Sequence, residues 1–352
     1  MKQTTQLHDP YTVISFSRQL SNVCFYFRYR FQPRILSARD VKDRTTTTLL
    51  GASVRIPICI SPTAAQYSVA PPKGDILTGL ATLKEGSLMV LSSHADVTIE
   101  NFASEVCPSD GVFWAQTYLF RDRRNTLHVV KNAERLGFRA IMVTVDSPTD
   151  FTATSGRSDV TAEHLDPTDR DSAPNIKFLH GKKRENRNYT EDEMWSGNSG
   201  AGEIETFCHP TWEDFYWLKS QTKLPIVIKG ILSAHAAREA VKAGVGGILV
   251  SAHGGRQLEG SPASLDALVE VVDAVRGSNV EIYMDGGVRS GTDVLKALAL
   301  GARAVFIGRP AIWGLAVNVR RYTILGIDIV TSVVSSICVH HRYTLNKGTV
   351  FS

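Results

Sequence analysis

Between residues 55 and 315, short runs of β-branched and aliphatic residues alternate with longer stretches whose apolar positions recur at helical spacing. The strand-like runs lie at 56–60, 88–91, 112–116, 140–145, 225–229, 247–251, 281–285 and 304–307, with helical patterns such as 125–136, 234–243, 264–275 and 291–300 between them. A strand followed by a helix returns the chain to start the next strand in the same direction, so the alternation predicts a parallel sheet. Eight such units are the number that closes an α/β barrel of the TIM (β/α)8 type, and that fold is predicted over an open sheet. Within 291–300, Val294, Leu295, Leu298 and Ala299 form one apolar stripe that should face the sheet, and Gly301 stops the helix. The barrel is assigned to residues 36–316, with an atypical N-terminal segment at 1–35, a long polar loop at 147–210 after the fourth strand, and a divergent tail at 317–352. Neither end carries the strand–helix pattern, so little regular packing is expected there.

Composition removes several classes of function. Of the 352 residues, 43% are hydrophobic and 21% charged, enough apolar material for a large core and too little charge for a disordered chain. Lys and Arg total 39 against 35 Asp and Glu, and this dispersed +4 predicts no nucleic-acid partner. Five scattered cysteines, none in a C-x-x-C pair, argue for a reducing, intracellular setting without a disulfide framework or a metal site. No signal peptide is read in residues 1–20, and the apolar run 322–339 contains Asp328 and barely reaches bilayer length, so no membrane span is expected. The basic knot at 182–187 reads as a solvated loop face.

In a parallel barrel, the C-terminal ends of the strands share one rim, and chemistry is sought there. After the sixth run comes Ser251-Ala252-His253-Gly254-Gly255-Arg256, where the imidazole can move a proton and the guanidinium can clamp a carboxylate through paired hydrogen bonds. After the seventh comes Asp285-Gly286-Gly287-Val288-Arg289, and after the eighth Gly308-Arg309-Pro310. Glycine N–H groups beside arginines at neighbouring strand ends suit a phosphate. Lys229 interrupts an apolar run and is costly to bury unless it meets an anion, which points to a cofactor. Thr144-Val145-Asp146, Gln116-Thr117-Tyr118, Ser92-Ser93-His94 and Ser61-Pro62-Thr63-Ala64 bring further polar groups to the same rim.

Taken with Phe31-Gln32-Pro33-Arg34-Ile35-Leu36, these segments resemble, in colinear order over about residues 28–316, the FMN-dependent α-hydroxy-acid oxidase/dehydrogenase family. The resemblance is nearest to its glycolate oxidase and animal 2-hydroxyacid oxidase branch. It implies FMN as cofactor, with the phosphate at Gly286, Gly287, Arg289, Gly308 and Arg309 and the ribityl chain at Asp285. The flavin ring would meet Pro62, Thr63 and Ala64, with Ser92, Gln116, Thr144 and Ser251 also on the cofactor, and Lys229 on the side where negative charge grows on reduction. His253 would be the base, Asp146 would orient it and raise its proton affinity, Arg256 would hold the carboxylate, Tyr118 would act with them in catalysis by hydrogen-bonding the substrate's oxygen, and His94 would line the substrate. The activity implied is oxidation of an (S)-2-hydroxy acid to a 2-oxo acid; oxygen is the expected acceptor, giving hydrogen peroxide, because no haem-binding domain precedes the barrel. A homotetramer and a peroxisomal location are implied too, although the chain ends Thr349-Val350-Phe351-Ser352 and not in a Ser-Lys-Leu-type signal, which leaves the cytoplasm open.

Departures from the family's pattern set the alternative. Residues 1–30 hold no match to its N-terminal tyrosine motif, the arginine-rich run after the fourth strand is reduced to Arg157, His94 replaces a frequent tryptophan, Glu259 replaces an aspartate, and the usual C-terminal helices are absent after about Ala316. A catalytically weak or inactive FMN-binding barrel from a truncated family member is therefore the second reading. A phosphate-binding isomerase or aldolase barrel is the third, disfavoured by the His-Gly-Gly-Arg loop.

Overall fold

The computed structural model describes residues 24–33, 45–64, 66, 67, 69–107, 111–120, 122–147, 210–258, 260–317, 343 and 344. The basic knot at 182–187, Arg157, Glu259 and all of the tail beyond 317 except residues 343 and 344 lie outside the described residues. Each of the eight expected runs becomes a barrel strand: β1 (Ile58–Ile60), β2 (Leu88–Leu91), β3 (Val112–Thr117), β4 (Ala140–Thr144), β5 (Ile226–Ile231), β6 (Gly247–Val250), β7 (Glu281–Asp285) and β8 (Ala304–Ile307). Every strand pairs in parallel with its sequence neighbours, and β8 pairs with β1, closing the TIM barrel.

The helices are α1 (Gly74–Lys84), α2 (Ile99–Val106), α3 (Arg123–Arg135), α4 (Trp212–Gln221), α5 (Ala234–Ala243), α6 (Ser264–Ala274), α7 (Gly291–Ala299) and α8 (Arg309–Val317). Their starts are chemically marked: Thr98, Asp122, Thr211, Ser233 and Ser290 each accept a first-turn N–H on the side chain, satisfying a donor that helix geometry leaves open. Gly79 is the close-approach glycine of α1, because a Cβ there would lie 2.8 Å from the Phe102 ring of α2.

Strand residues are buried on both faces, as a barrel requires. One face packs under the helices, with Ile141, Ile228, Ile248 and Val305 in that layer. The other fills the lumen, where Trp114 lies 5.5 Å from Tyr283 and 5.9 Å from Phe306 between ring centroids. A hairpin pairing Thr47–Leu49 with Ala52–Val54 adds buried Leu49 to that lumen cluster, and the Leu50 N–H donates to Glu281 at the start of β7. The hairpin thus plugs the N-terminal mouth and leaves the opposite rim for chemistry.

The N-terminal segment does more than the absence of a strand–helix pattern suggested. Phe25–Arg28 form a 3-10 turn whose Tyr26 is 2% exposed, and Gln32–Pro33 pair antiparallel with Tyr343–Thr344. Among the described residues, no helix is long and apolar enough to cross a membrane.

Candidate active site

The ends of β4, β5 and β6 converge on one proton-handling group. The His253 Nδ1 lies 2.8 Å from Asp146 Oδ1, the Lys229 Nζ lies 3.3 Å from the same Nδ1, and 3.9 Å separates Lys229 Nζ from Asp146 Oδ2. Two groups cannot both own Nδ1. The shorter contact to a carboxylate, which only accepts, assigns the proton to Nδ1, so Nδ1–H donates to Asp146 and Nε2 keeps the free lone pair. His253 is fixed further by its own N–H, which donates to Ser251 Oγ, and it holds a left-handed backbone with φ of 52°. A non-glycine residue in that region stores strain, a feature that clusters at functional sites.

Two effects compete over protonation. Burial would raise Asp146, yet Lys229 and His253 together hold its carboxyl below the ordinary carboxylate value. For His253, burial and the Lys229 charge outweigh the opposing pull of Asp146, and the imidazole sits below its ordinary value. The expectation that Asp146 raises the proton affinity of His253 thus holds for its own contribution but not for the sum. The imidazole is therefore held toward its neutral form. Lys229, only 3% exposed, also finds an anion that sequence did not assign to it, the Asp146 carboxylate.

Gly230 makes this arrangement fit. Its φ is 111°, the register of β5 against β6 shifts between Lys229 and Ile231, and a Cβ on it would lie 2.5 Å from Asp146 Cβ and 2.8 Å from Asp146 Cγ. Glycine here supplies both the backbone conformation and the room for Asp146.

The ends of β2 and β3 build a polar floor. Gln116 accepts from the Ser93 N–H and hydroxyl on Oε1 and donates through Nε2 to Thr144 Oγ1 and the Thr117 carbonyl, while Ser92 Oγ accepts from the His94 N–H. His94 stands edge-on to Tyr118, with 5.3 Å between ring centroids. Pro62 and Thr63 are half-buried and Ala64 is exposed.

The β7 and β8 ends form the anion side. Asp285 Oδ2 accepts from Ser61 at 2.8 Å, while its Oδ1 is buried without a hydrogen-bond partner. Gly286 and Gly287 both have positive φ, 96° and 78°. Arg289 stacks over Trp313, its Cζ 4.8 Å from the ring centroid, and Arg309 donates to the Gly254 carbonyl, close enough that a Cβ on Gly254 would meet its Nη2. Burial first, then the charges of Arg256 and Arg289, push Arg309 down to about 10. The three guanidinium groups thus lie near enough to repel one another. Arg256 itself is exposed, and its Nε donates to the His253 carbonyl at 3.3 Å, between the proton-handling side and the anion side.

Sequence reasoning placed every rim residue on the right strand end but overlooked Ser61 as the partner of Asp285 and Gly230 as the spacer for Asp146. The second had a signal, a Lys-Gly pair inside an otherwise apolar strand.

Comparisons with known proteins agree with this fold. A family model described as FMN-dependent dehydrogenase matches residues 19–322. Human 2-hydroxyacid oxidase 1 is 43% identical over 299 residues, covering 84% of this chain and 76% of the relative. A peroxisomal (S)-2-hydroxyacid oxidase of Arabidopsis thaliana is 41% identical over 302 residues, with coverage of 84% and 76%. Among solved structures, a mandelate oxidase variant with (S)-mandelic acid superposes with a TM-score of 0.71 at 29% identity, covering 95% of this chain and 90% of that one. A mandelate oxidase variant carrying an FMN adduct gives 0.70 at 29% identity, with 94% and 92% covered.

Proposed function

Because the chain belongs to the FMN-dependent dehydrogenase family, we propose that it is an FMN-dependent (S)-2-hydroxy-acid oxidase, converting the acid to a 2-oxo acid with oxygen as electron acceptor and hydrogen peroxide as co-product. The observation that carries the reading is the 2.8 Å contact of His253 with Asp146, set beside buried Lys229 on the same rim as the arginine–glycine loops. The relatives' names, hydroxyacid and mandelate oxidases, support the substrate class and the acceptor.

The residues present fit FMN. Positive-φ Gly286 and Gly287 suit close approach of a phosphate, Arg289 and Arg309 bring two positive charges to the same loops, and the unpartnered Oδ1 of Asp285 can accept from a ribityl hydroxyl. Pro62, Thr63, Ala64, Ser92, Gln116, Thr144 and Ser251 would surround the ring, with Lys229 as the fixed positive charge beside it. Gly308 would join Gly286, Gly287, Arg289 and Arg309 on the phosphate. Bound FMN supplies the two-electron acceptor.

The chain's own residues do the rest. Arg256 binds the substrate carboxylate, Tyr118 hydrogen-bonds the substrate's oxygen, and His94, edge-on to Tyr118, lines the substrate. The free Nε2 of neutral His253 takes the proton released as the alcohol becomes a carbonyl, and Asp146 stabilises the imidazolium that results. The reading of a weak barrel is not favoured, since the base, its orienting carboxylate and the anion side all stand in register. A homotetramer and a peroxisomal location are proposed with the function, the latter supported by the relative named peroxisomal. The test is spectroscopic: the purified protein should be yellow, should bleach anaerobically with glycolate, (S)-lactate or (S)-mandelate, and should recolour with oxygen while releasing peroxide. A colourless protein that gains no flavin band with FMN, or a yellow one that none of the three bleaches, overturns the proposal.

A further inference from the structure

Tyr26 lies in the N-terminal segment, far in sequence from the loop after β7, yet its hydroxyl donates to the Gly286 carbonyl at 3.2 Å. The Met284 Sδ at 3.9 Å is a weaker alternative acceptor. The side chain is 2% exposed, and its turn is tied down on α7 by Lys296, whose Nζ donates to the Tyr26 carbonyl at 2.9 Å. The same turn is held on α6, where Tyr29 donates to Asp266 and Arg28 pairs with it at 3.3 Å.

The Gly286 carbonyl shares a peptide plane with the Gly287 N–H, and in a trans peptide the two point in opposite directions. Holding the carbonyl toward Tyr26 therefore turns the Gly287 N–H away from Tyr26. Both glycines have positive φ and no side chain to restrict them, so this peptide is one that could rotate. A hydrogen bond to the carbonyl also polarises the peptide and strengthens its N–H as a donor.

We propose that Tyr26 is a positioning residue for the cofactor phosphate: by anchoring the Gly286 carbonyl it fixes the Gly287 N–H as a phosphate donor. The proposal rests on the reading that FMN phosphate binds at Gly286, Gly287, Arg289 and Arg309. Burial pushes the Tyr26 phenol well above its ordinary value, with Asp293 and Asp285 adding to it, so the hydroxyl keeps the proton it donates.

The test measures FMN and riboflavin binding to the apoprotein by quenching of flavin fluorescence. Riboflavin has the ring and ribityl chain but no phosphate. Tyr26→Phe removes only the hydroxyl and should weaken FMN by about two- to tenfold, the range of one hydrogen bond, while leaving riboflavin unchanged. Lys296→Met, which frees the turn that carries Tyr26, should lower the FMN-to-riboflavin preference in the same direction, and it serves as the measurement if Tyr26→Phe does not fold. Equal weakening of both ligands would mean that Tyr26 is merely structural and overturns the inference, as does an unchanged preference in the variants. If the parent protein itself bound FMN no better than riboflavin, the phosphate assignment would fail first, a result distinct from either.

Discussion

Gly230→Ala tests the site's geometry without touching any group that moves a proton. The added Cβ would stand 2.5 Å from Asp146 Cβ and 2.8 Å from its Cγ, against an ordinary carbon contact of about 3.5 Å or more. Asp146 must retreat by about 1 Å, and its 2.8 Å bond to His253 then stretches past the limit at which a hydrogen bond is worth having. Losing a charge-assisted bond to the imidazolium costs about 1.5–3 kcal/mol, and at about 1.4 kcal/mol per decade flavin reduction should slow by about ten- to a hundredfold. Forcing alanine to a φ of 111° adds strain of about 1–3 kcal/mol, visible as a lower melting temperature. Anaerobic stopped-flow bleaching at saturating hydroxy acid is the assay. Because the effect passes through Asp146, the double variant with Asp146→Asn should be no slower than Asp146→Asn alone. Rates that multiply in the double variant, or a fully loaded Gly230→Ala that bleaches at the parent rate, would refute the reasoning.

Three shorter predictions accompany it. His253→Ala should stay yellow while its bleaching rate falls by about 10²–10⁴, and rapid bleaching would remove the histidine from the chemistry. Arg309→Ala should weaken FMN by about ten- to a hundredfold, the worth of a charge-assisted hydrogen bond, and full flavin retention during dialysis would refute the phosphate site. Asp75 in α1 is 2% exposed with Oδ1 unpaired, and burial, then Asp96, raises its carboxyl from 3.8 to about 7. In that window the fold keeps a proton that the unfolded chain has released, so stability falls as pH rises, by at most about 4 kcal/mol at about 1.36 per pH unit. Asp75→Asn should therefore raise the melting temperature at pH 8 more than at pH 4; a larger gain in acid would reverse the sign and sink the argument.

What could be read from sequence follows the period of the interactions. Barrel strands are legible because burial on both faces makes them continuous apolar runs, and rim residues are legible because Lys229 or a His-Gly-Gly-Arg loop breaks such a run. Partnerships across the barrel are not. Ser61 meets Asp285 only because the sheet closes with β8 between their strands, over a separation of 224 residues. Lys229 meets Asp146 because Thr144 and Lys229 stand in register and Gly230 then bulges, and neither fact leaves a periodic trace. Tyr26 sits in a single 3-10 turn, too short to show any period at all.

Arg256 connects the two halves of the rim, and its charge gives the site a property that neither half has alone. In the free protein His253 is held below its ordinary value, chiefly by burial and Lys229, and Arg256 adds to the depression. A substrate carboxylate paired with Arg256 neutralises that charge, so the same ligand that brings the proton to be removed should also raise the affinity of His253 for it. The pH profile of kcat/KM reports the free protein and that of kcat the substrate complex. Both should fall on acidification, because the base must be neutral, but the inflection in kcat should lie at higher pH than that in kcat/KM. Arg256→Gln, which removes that charge from the free protein, should move the kcat/KM inflection itself to higher pH. Coincident inflections in the parent protein, or an unmoved kcat/KM inflection in Arg256→Gln, would show that the arginine binds the acid without tuning the base.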